Sequence, residues 1–274
     1  MAISTLARCE RQSLTDFWSI LKKIKDCLFM KAITLNQRID LKNALHEINQ
    51  TTWPSFILHW HCPAWSNLFS TFMDYQILFL NDKDDLLAFG HTIPIYWKED
   101  LREIPDDLKT LIEMGVISNQ KGIKPNVLLA LAAVVPEKYK GKGLSSVIVK
   151  EMKNIAIKKG LKYLIVPVRP TLKSRYPLIP IENYAKWKRE DGLFFDPWLR
   201  VHQKLGGKIF KTAKLSMIIE GNVKEWEEWT GTKIFESGHY LFEGVLNPVE
   251  ISCEKDMGIY FDPCIWVKYT LNDN

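Results

Sequence analysis

The pattern of apolar and polar positions divides the chain into a helical beginning and a sheet-like remainder. In the first fifty residues, apolar side chains such as Phe17, Leu21 and Ile24 recur at helical spacing, which predicts helices. Residues 51–70 interrupt this pattern with Trp and Pro and indicate an irregular connection. From Tyr75 onward, continuous or alternating apolar segments predict strands. The prediction is a helical N-terminal extension (1–70), a main domain (71–230) and a β-rich C-terminal extension (231–274).

The centre of the main domain predicts a strand, a turn, a helix and a second strand. "NVLLALAAVV" and "KYLIVPVRP" are almost wholly apolar, as expected of strands buried on both faces. The segment "LSSVIVKEMKNIAIKKG" between them has helical spacing and ends at Gly160, where a left-handed glycine commonly closes a helix. This order suggests a parallel crossover, and a mixed sheet also fits. The predicted fold class is therefore α/β (α+β), with a central sheet flanked by helices.

The turn before this helix is short, basic and rich in glycine, with the sequence "KYKGKGLSS". Glycine permits a sharp bend and a close approach of the backbone to a ligand, and the first amides of a helix bind phosphate. Two glycines also fit an ordinary turn with solvated lysines, and the segment matches neither the Walker nor the dinucleotide fingerprint. The candidate phosphate-binding residues are Lys138, Tyr139, Lys140, Gly141, Lys142, Gly143, Leu144 and Ser145.

The turn resembles motif A of the GCN5-related N-acetyltransferase (GNAT) superfamily, which has the pattern Q/R-x-x-G-x-G/A. In this chain the motif runs from Lys138 to Gly143, and lysine stands where the family has Gln or Arg. The order of elements from about residue 72 to residue 230 also resembles the family's order. The string "RPTLKSRYPLIPIENYAKWKREDGLFFDPWLRVHQKLGG" is similar to a bacterial subgroup of unknown substrate.

The resemblance implies direct transfer of an acyl group to a small amine or amino-acid-like acceptor, with acetyl-CoA or another acyl-CoA as co-substrate. It also implies that strands 4 and 5 splay apart and that the pantetheine arm lies between them. Pro167 agrees with loosened pairing there, because proline cannot donate to a sheet ladder. A backbone amide at Val134 or Val135 is expected to donate to the acyl carbonyl oxygen.

The sequence identifies the general acid and the general base less clearly than it identifies the phosphate-binding turn. His202 stands where the family usually has a tyrosine, and an imidazole titrates near neutral pH, so His202 is the candidate acid for the leaving thiolate. The alternative is a packed ring or a helix residue bonded to a carbonyl. Glu137 and His91 are candidate bases, with a solvated carboxylate and a satisfied core histidine as the alternatives. Many family members need no dedicated base.

Residues 171–195 form a long polar connection after the fifth strand, and connections of this length are often functional. Cations in this region suit a carboxylate-bearing acceptor or acyl chain. The alternative is that the same side chains tether the connection to the body of the protein. The candidate acceptor-binding residues are Arg169, Lys173, Arg175, Tyr176, Tyr184, Trp187 and Arg200.

Composition and charge exclude some classes of protein but do not identify one. The chain is 46% hydrophobic and 25% charged with a net charge of +5, which is ordinary for a globular protein and fits an anionic ligand. No long basic run indicates a nucleic-acid partner, and no apolar segment approaches the ~18 residues of a membrane span. The five cysteines lack CxxC spacing, which favours free thiols and a cytoplasmic location.

Three further expectations follow from the sequence. "HWHCP" contains two histidines and a cysteine but lacks a second ligand cluster, so we expect no metal site. The alternating C-terminal segments suggest the hypothesis that strands there extend a neighbour's sheet and form a homodimer. A non-catalytic acyl-CoA sensor or scaffold with the same fold is the alternative to an enzyme.

Overall fold

The computed structural model describes residues 30–98 and 100–271, and the predicted helix around Phe17 lies outside them. The described residues form one sheet of nine strands. The strands are β1 (Lys31–Thr34), β2 (Gln76–Leu80), β3 (Leu86–Ile95), β4 (Val127–Val134), β5 (Tyr163–Val168), β6 (Lys208–Gly221), β7 (Gly238–Tyr240), β8 (Val249–Ser252) and β9 (Met257–Thr270). The α-helices are α1 (Lys42–Thr52), α2 (Leu108–Gln120), α3 (Leu144–Lys158), α4 (Ile181–Tyr184), α5 (Pro197–Lys204) and α6 (Val223–Thr230).

The sheet is mixed, as the sequence predicts. Its strand order is β1-β2-β3-β4-β5-β9-β8-β7, with β6 also paired to β9. β4 and β5 are parallel and are joined through α3, whereas the other neighbouring strands are antiparallel. Apolar residues of α3 such as Ile148 and Met152 pack on one face of the sheet, and Leu111 and Ile112 of α2 pack on the other. The predicted α/β class with flanking helices is confirmed.

β4 and β5 separate part-way along their length. Their register runs from Val127 opposite Tyr163 to Leu129 opposite Ile165, although β4 continues to Val134 and β5 to Val168. The far edge of β5 stays paired with β9 throughout, and Pro167 lies opposite Trp266 there. The predicted splay between the two strands is therefore present, and Pro167 lies beyond the last β4–β5 pair.

The beginning of the described chain is not helical throughout, so the prediction for residues 1–50 is wrong at Lys31–Thr34. This segment pairs antiparallel with β2 as an edge strand. Four residues are too few for a period to be read from the sequence, which explains the error. Leu45 of α1 packs with Ile33 and Leu35 against the sheet.

The last long strand completes the centre of the sheet. β9 lies between β5 and β6, with its other end paired to β8. The sheet of the main domain therefore includes residues 257–270, which the sequence assigned to a separate extension. Because β9 has partners on both edges, a sheet-extending dimer would need another strand. The predicted domain boundaries at residues 70 and 230 stay predictions.

Candidate active site

A cavity of about 880 Å³ occupies the gap between the separated strands. Residues 130–133 of β4 line one wall, and Val166 and Pro167 of β5 line another. Lys140 and Ser145 lie at the glycine-turn end of the cavity, and residues of α1 line a further part. A single space thus connects the glycine turn with the N-terminal helix.

The glycine turn has the backbone geometry that an anion-binding turn needs. Gly141 and Gly143 have φ values of +74° and +78°, and a Cβ added at either position would contact nothing within 4 Å. Gly143 directly precedes α3, and no side chain of the described residues caps this helix. The Ser146 N–H donates to the Gly143 carbonyl at 3.1 Å. The amides ahead of Ser146 lie at a helix start, where an anion is favoured.

Positive charge surrounds this turn. The Nζ atoms of Lys138 and Lys142 lie 4.9 Å and 5.1 Å from the centroid of the Tyr139 ring. Lys140 lines the cavity and forms an ion pair with Glu137. The Glu137 side chain is 84% exposed and does not line the cavity, so its geometry is that of the solvated carboxylate.

The two expected carbonyl-binding positions on β4 differ in their surroundings. Val134 is buried opposite Phe89 of β3 and does not line the cavity. Val135 lines the cavity just beyond the end of β4. The β3–β4 register also shifts between His91 and Thr92, which leaves Leu131 as an extra residue on β4 beside the cavity.

His202 is a buried neutral ring. It is 1% exposed, its Nδ1 lies 2.7 Å from the Tyr269 hydroxyl, and its Nε2 has no hydrogen-bond partner among the described residues. Burial lowers the pKa of His202 to about 3. Trp198 and Val201 of the same helix line the cavity, but His202 does not. This geometry favours the packed-ring alternative over the candidate acid.

His91 is likewise enclosed. Its Nδ1 lies 3.0 Å from Gln76 Oε1, and its Nε2 lies 3.4 Å from Asn49 Nδ2. The rings of Trp65 and Phe69 pack edge-on against it. Burial lowers the pKa of His91 to about 4, so the imidazole is neutral near neutral pH. This arrangement favours the satisfied core histidine over the candidate base.

Of the candidate acceptor-binding residues, Arg169 is the one that lines the described cavity. Its Nε donates to both carboxylate oxygens of Asp262, at 3.0 Å and 3.1 Å, and its Nη2 donates to the Gly244 carbonyl at 2.7 Å. Burial acts to lower the pKa of Arg169, but the charges of Asp262 and Tyr260 and the hydrogen bonds to them together outweigh burial and raise the pKa. Tyr260 also donates to Asp262, at 2.6 Å. Most of the charge of Arg169 is therefore matched within the protein.

The aromatic candidates of the long connection pack with one another. Tyr176, Tyr184 and Trp187 surround Phe195 at centroid distances between 5.7 Å and 6.3 Å. The Tyr184 hydroxyl donates to Asp196 at 2.9 Å, and Asp196 caps α5 as the sequence indicates. This cluster tethers the connection to α5.

Two of the cationic candidates, Lys173 of the connection and Arg200 of α5, also donate to backbone carbonyls. Arg200 donates to the Phe194 carbonyl at 3.0 Å. The buried Lys173 donates to the Leu246 carbonyl at 2.6 Å. Arg175 is exposed. These contacts agree with the tethering alternative rather than with an acceptor pocket.

The part of the cavity wall that α1 contributes was not predicted from the sequence. Lys42, His46 and Asn49 line the cavity from one face of this helix, and Trp53 lines it just beyond the end of the helix. Trp60, Trp65 and Phe69 of the following connection also line it. Two signals were available in the sequence: polar residues three or four positions apart, and an unusual density of Trp beside them.

The cysteines and histidines do not form a metal centre in the described part of the chain. Cys62 and Cys264 are free and line the cavity. Burial raises the pKa of both thiols. Both are consequently protonated near neutral pH.

Two solved structures share the fold of this chain. No family model matches the chain. The loading GNATL domain of CurA from Lyngbya majuscula superposes with a TM-score of 0.61 at 16% identity, covering 89% of this chain and 98% of that one. The chain has a GNAT-like fold. A GNAT-like decarboxylase, GphF, solved with isobutyryl-CoA, gives a TM-score of 0.54 at 13% identity, covering 89% and 99% of the two chains.

A curated relative of this GNAT-like protein carries an activity in its name. The arginine N-acetyltransferase avaD of Aspergillus versicolor is 29% identical in an alignment 250 residues long that covers 80% of this chain and 86% of that protein. The name of that relative states an N-acetyltransferase activity, and the two superposed structures share the GNAT-like fold of this chain. The relative is fungal, so the bacterial subgroup stays a prediction. In the described residues, no helix is long and apolar enough to cross a bilayer.

Proposed function

We propose that the protein transfers an acyl group, acetyl in the simplest case, from coenzyme A directly to a small amine or amino-acid-like acceptor. The observation that carries this proposal is the single cavity through the separated strands. It is lined at one place by Lys140 and Ser145 of the glycine turn and at another by Asn49 of α1. Two co-substrates bound at these places would meet between β4 and β5, where proximity converts a bimolecular reaction into an effectively unimolecular one.

The glycine turn and the free edge of β4 bind the co-substrate in this proposal. The amides from Gly141 to Ser145 hold the pyrophosphate, with Lys138, Lys140 and Lys142 supplying positive charge. Beyond Leu129, β4 has lost its β5 partner, so its amides on that edge are available to the pantetheine arm and the acyl carbonyl. Val135 is the proposed carbonyl-binding position, since it lines the cavity and Val134 does not.

Transfer proceeds by attack of the neutral amine nitrogen on the thioester carbon. The new C–N bond forms as the C–S bond breaks, the amine loses a proton to water, and the thiolate gains one from water. Neither His91 nor His202 lines the cavity, and each is neutral near neutral pH, so the proposal assigns these proton transfers to water rather than to either of these two histidines. Cys62 and Cys264 are protonated, which makes them poor nucleophiles and supports transfer without an acyl-enzyme.

An amino-acid-like acceptor agrees with the name of the fungal relative, which is an arginine N-acetyltransferase. The similarity covers most of both chains, so the acceptor in the relative's name belongs to the class of acceptors to test first. A cytoplasmic location and a homodimer remain predictions alongside this proposal. Solution scattering of the full chain tests the dimer directly.

The decisive experiment measures free thiol release from acetyl-CoA in the presence of amines and amino acids. The expected result is release that depends on the acceptor and a product whose mass is that of the acceptor plus one acetyl group. Binding of coenzyme A without turnover of any acceptor would instead favour the non-catalytic sensor.

A further inference from the structure

The buried side chains behind α1 form a hydrogen-bonded chain with one consistent assignment of protons. Gln76 Nε2 donates to the carbonyls of Phe72 and Thr92, at 2.8 Å and 2.9 Å, which uses both of its protons. Gln76 Oε1 is therefore the atom that accepts from His91 Nδ1. A neutral imidazole with its proton on Nδ1 has an acceptor at Nε2.

This assignment fixes the carboxamide of Asn49. His91 Nε2 accepts one proton from Asn49 Nδ2 at 3.4 Å, and Asn49 Oδ1 accepts from Trp53 Nε1 at 3.2 Å. An amide nitrogen carries two protons, so Asn49 keeps a second N–H to donate. Asn49 itself lines the cavity. The hydrogen-bonded chain thus leaves an N–H donor on Asn49, a residue that lines the α1 wall of the cavity.

The charges around the cavity point to the class of ligand that this donor binds. Lys42 and His46 precede Asn49 on the same face of α1 and also line the cavity. Among the described lining residues, the acidic one is Asp262, whose carboxylate is matched by Arg169. A donor on the same helix face as the cationic Lys42 suits an acceptor oxygen with negative charge.

We infer that α1 recognises the carboxylate of an amino-acid acceptor, with Asn49 as the residue that donates to it and His91 and Gln76 as positioning residues. The inference rests on the proposed function and makes it more specific. His91 orients Asn49 and does not exchange a proton during transfer. Amine substrates that lack a carboxylate are accordingly poor acceptors.

The test compares an amino acid with its own carboxamide as acceptor. The quantity measured is the ratio of kcat/KM for the acid to kcat/KM for the amide. The wild-type ratio should favour the acid. Asn49→Ala should lower it by about tenfold or more, mainly through the KM of the acid, because one charge-assisted hydrogen bond is lost. Asn49→Asp should reverse the preference through repulsion of the carboxylate.

His91→Phe tests the positioning role, because it removes the acceptor that orients Asn49. It should lower the same ratio while leaving the dissociation constant of coenzyme A unchanged. A merely structural role would lower activity toward both acceptors alike. The matched control is Asn36→Ala, since the Asn36 amide donates to Asp74 at 3.0 Å and does not line the cavity. If His91→Phe does not fold, Asn49→Asp, which preserves the shape of the side chain, decides the question.

The outcomes separate this inference from the function on which it rests. Equal wild-type rates for acid and amide, or an unchanged ratio in both Asn49 variants, would overturn the carboxylate assignment while leaving an N-acyltransferase. Turnover of no amine at all, with coenzyme A still bound, would overturn both.

Discussion

Leu129 of β4 and Ile165 of β5 are the last residues that the two parallel strands share in register, and the cavity begins directly beyond them. The next residues of each strand, Ala130 and Val166, line that cavity. Small side chains on β4 keep the gap open, since residues 130, 132 and 133 are all alanine. The loss of strand pairing at this point therefore creates the space in which the proposed co-substrates meet.

The glycine turn gives the first prediction. Gly143→Ala should weaken coenzyme A binding roughly tenfold or more, because a Cβ enters the space next to the amides of the helix start. The same change should destabilise the fold by about 1–2 kcal/mol, since φ is left-handed there. Calorimetric titration and urea unfolding measure the two effects.

A matched control separates strain from binding. Gly122 has a φ of +65°, and a Cβ there would meet no described atom within 4 Å, but it follows the end of α2 and lies outside the glycine turn. Gly122→Ala should cost similar stability and leave coenzyme A affinity unchanged. Equal loss of affinity in both variants would show that backbone strain, and not the phosphate site, explains the result.

The second prediction concerns the ion pair between Arg169 and Asp262. Arg169→Ala should lower the free energy of unfolding by about 3–5 kcal/mol, because it leaves a buried carboxylate without its charged partner. Chemical denaturation measures this loss. The exposed pair of Arg102 and Asp100 is the control, and Arg102→Ala should have little effect. A small effect at Arg169 would mean that water or Tyr260 compensates for Asp262.

The third prediction is the dependence of stability on pH. His91 and His202 have pKa values of about 4 and about 3 in the folded protein, against about 6.5 for a free imidazole. The unfolded chain therefore binds more protons between about pH 6.5 and pH 4, so stability falls as the pH falls through this window. Each histidine contributes a slope of about 1.4 kcal/mol per pH unit within it.

Urea unfolding at several pH values checks this slope. His202→Phe should reduce the number of protons taken up on unfolding by about one. A wild-type slope that His202→Phe does not alter would contradict the buried neutral state of His202.

The fourth prediction distinguishes a packed His202 from a catalytic one. His202→Gln should retain kcat within about threefold once protein stability is controlled, because the ring does not line the cavity. The pH profile of kcat should keep its shape. Loss of kcat by about a hundredfold or more, together with a changed profile, would restore His202 as the acid.

Local patterns in the sequence predicted the parts of the fold that depend on neighbouring residues. The glycines before α3, its closing Gly160 and the Asp196 cap of α5 each act within one turn of a helix, so the sequence shows them directly. The long apolar strands β4 and β5 are equally visible. Their separation was expected from a family resemblance and from Pro167, and not from periodicity.

The contacts between distant parts of the chain could not be predicted from local patterns. The position of β9 between β5 and β6 depends on pairing across the whole chain, which alternation does not specify. For the same reason, the sequence did not predict that Asn49 lines the cavity or that His202 is buried. A helical pattern shows which residues share a face but does not show what that face contacts. The aromatic residues around Tyr184 pack against one another, which favours the tethering alternative, and their role in an acceptor pocket stays a prediction.

The central claim is that the gap between β4 and β5 binds an acyl-CoA. Titration calorimetry of coenzyme A and acetyl-CoA into the wild-type chain and into Ala133→Leu tests it most directly, since Ala133 lines the gap. We predict one molecule bound per wild-type chain and an affinity reduced by about tenfold or more in the correctly folded variant. Absence of binding to the wild type, or equal affinity in the two proteins, would contradict the claim.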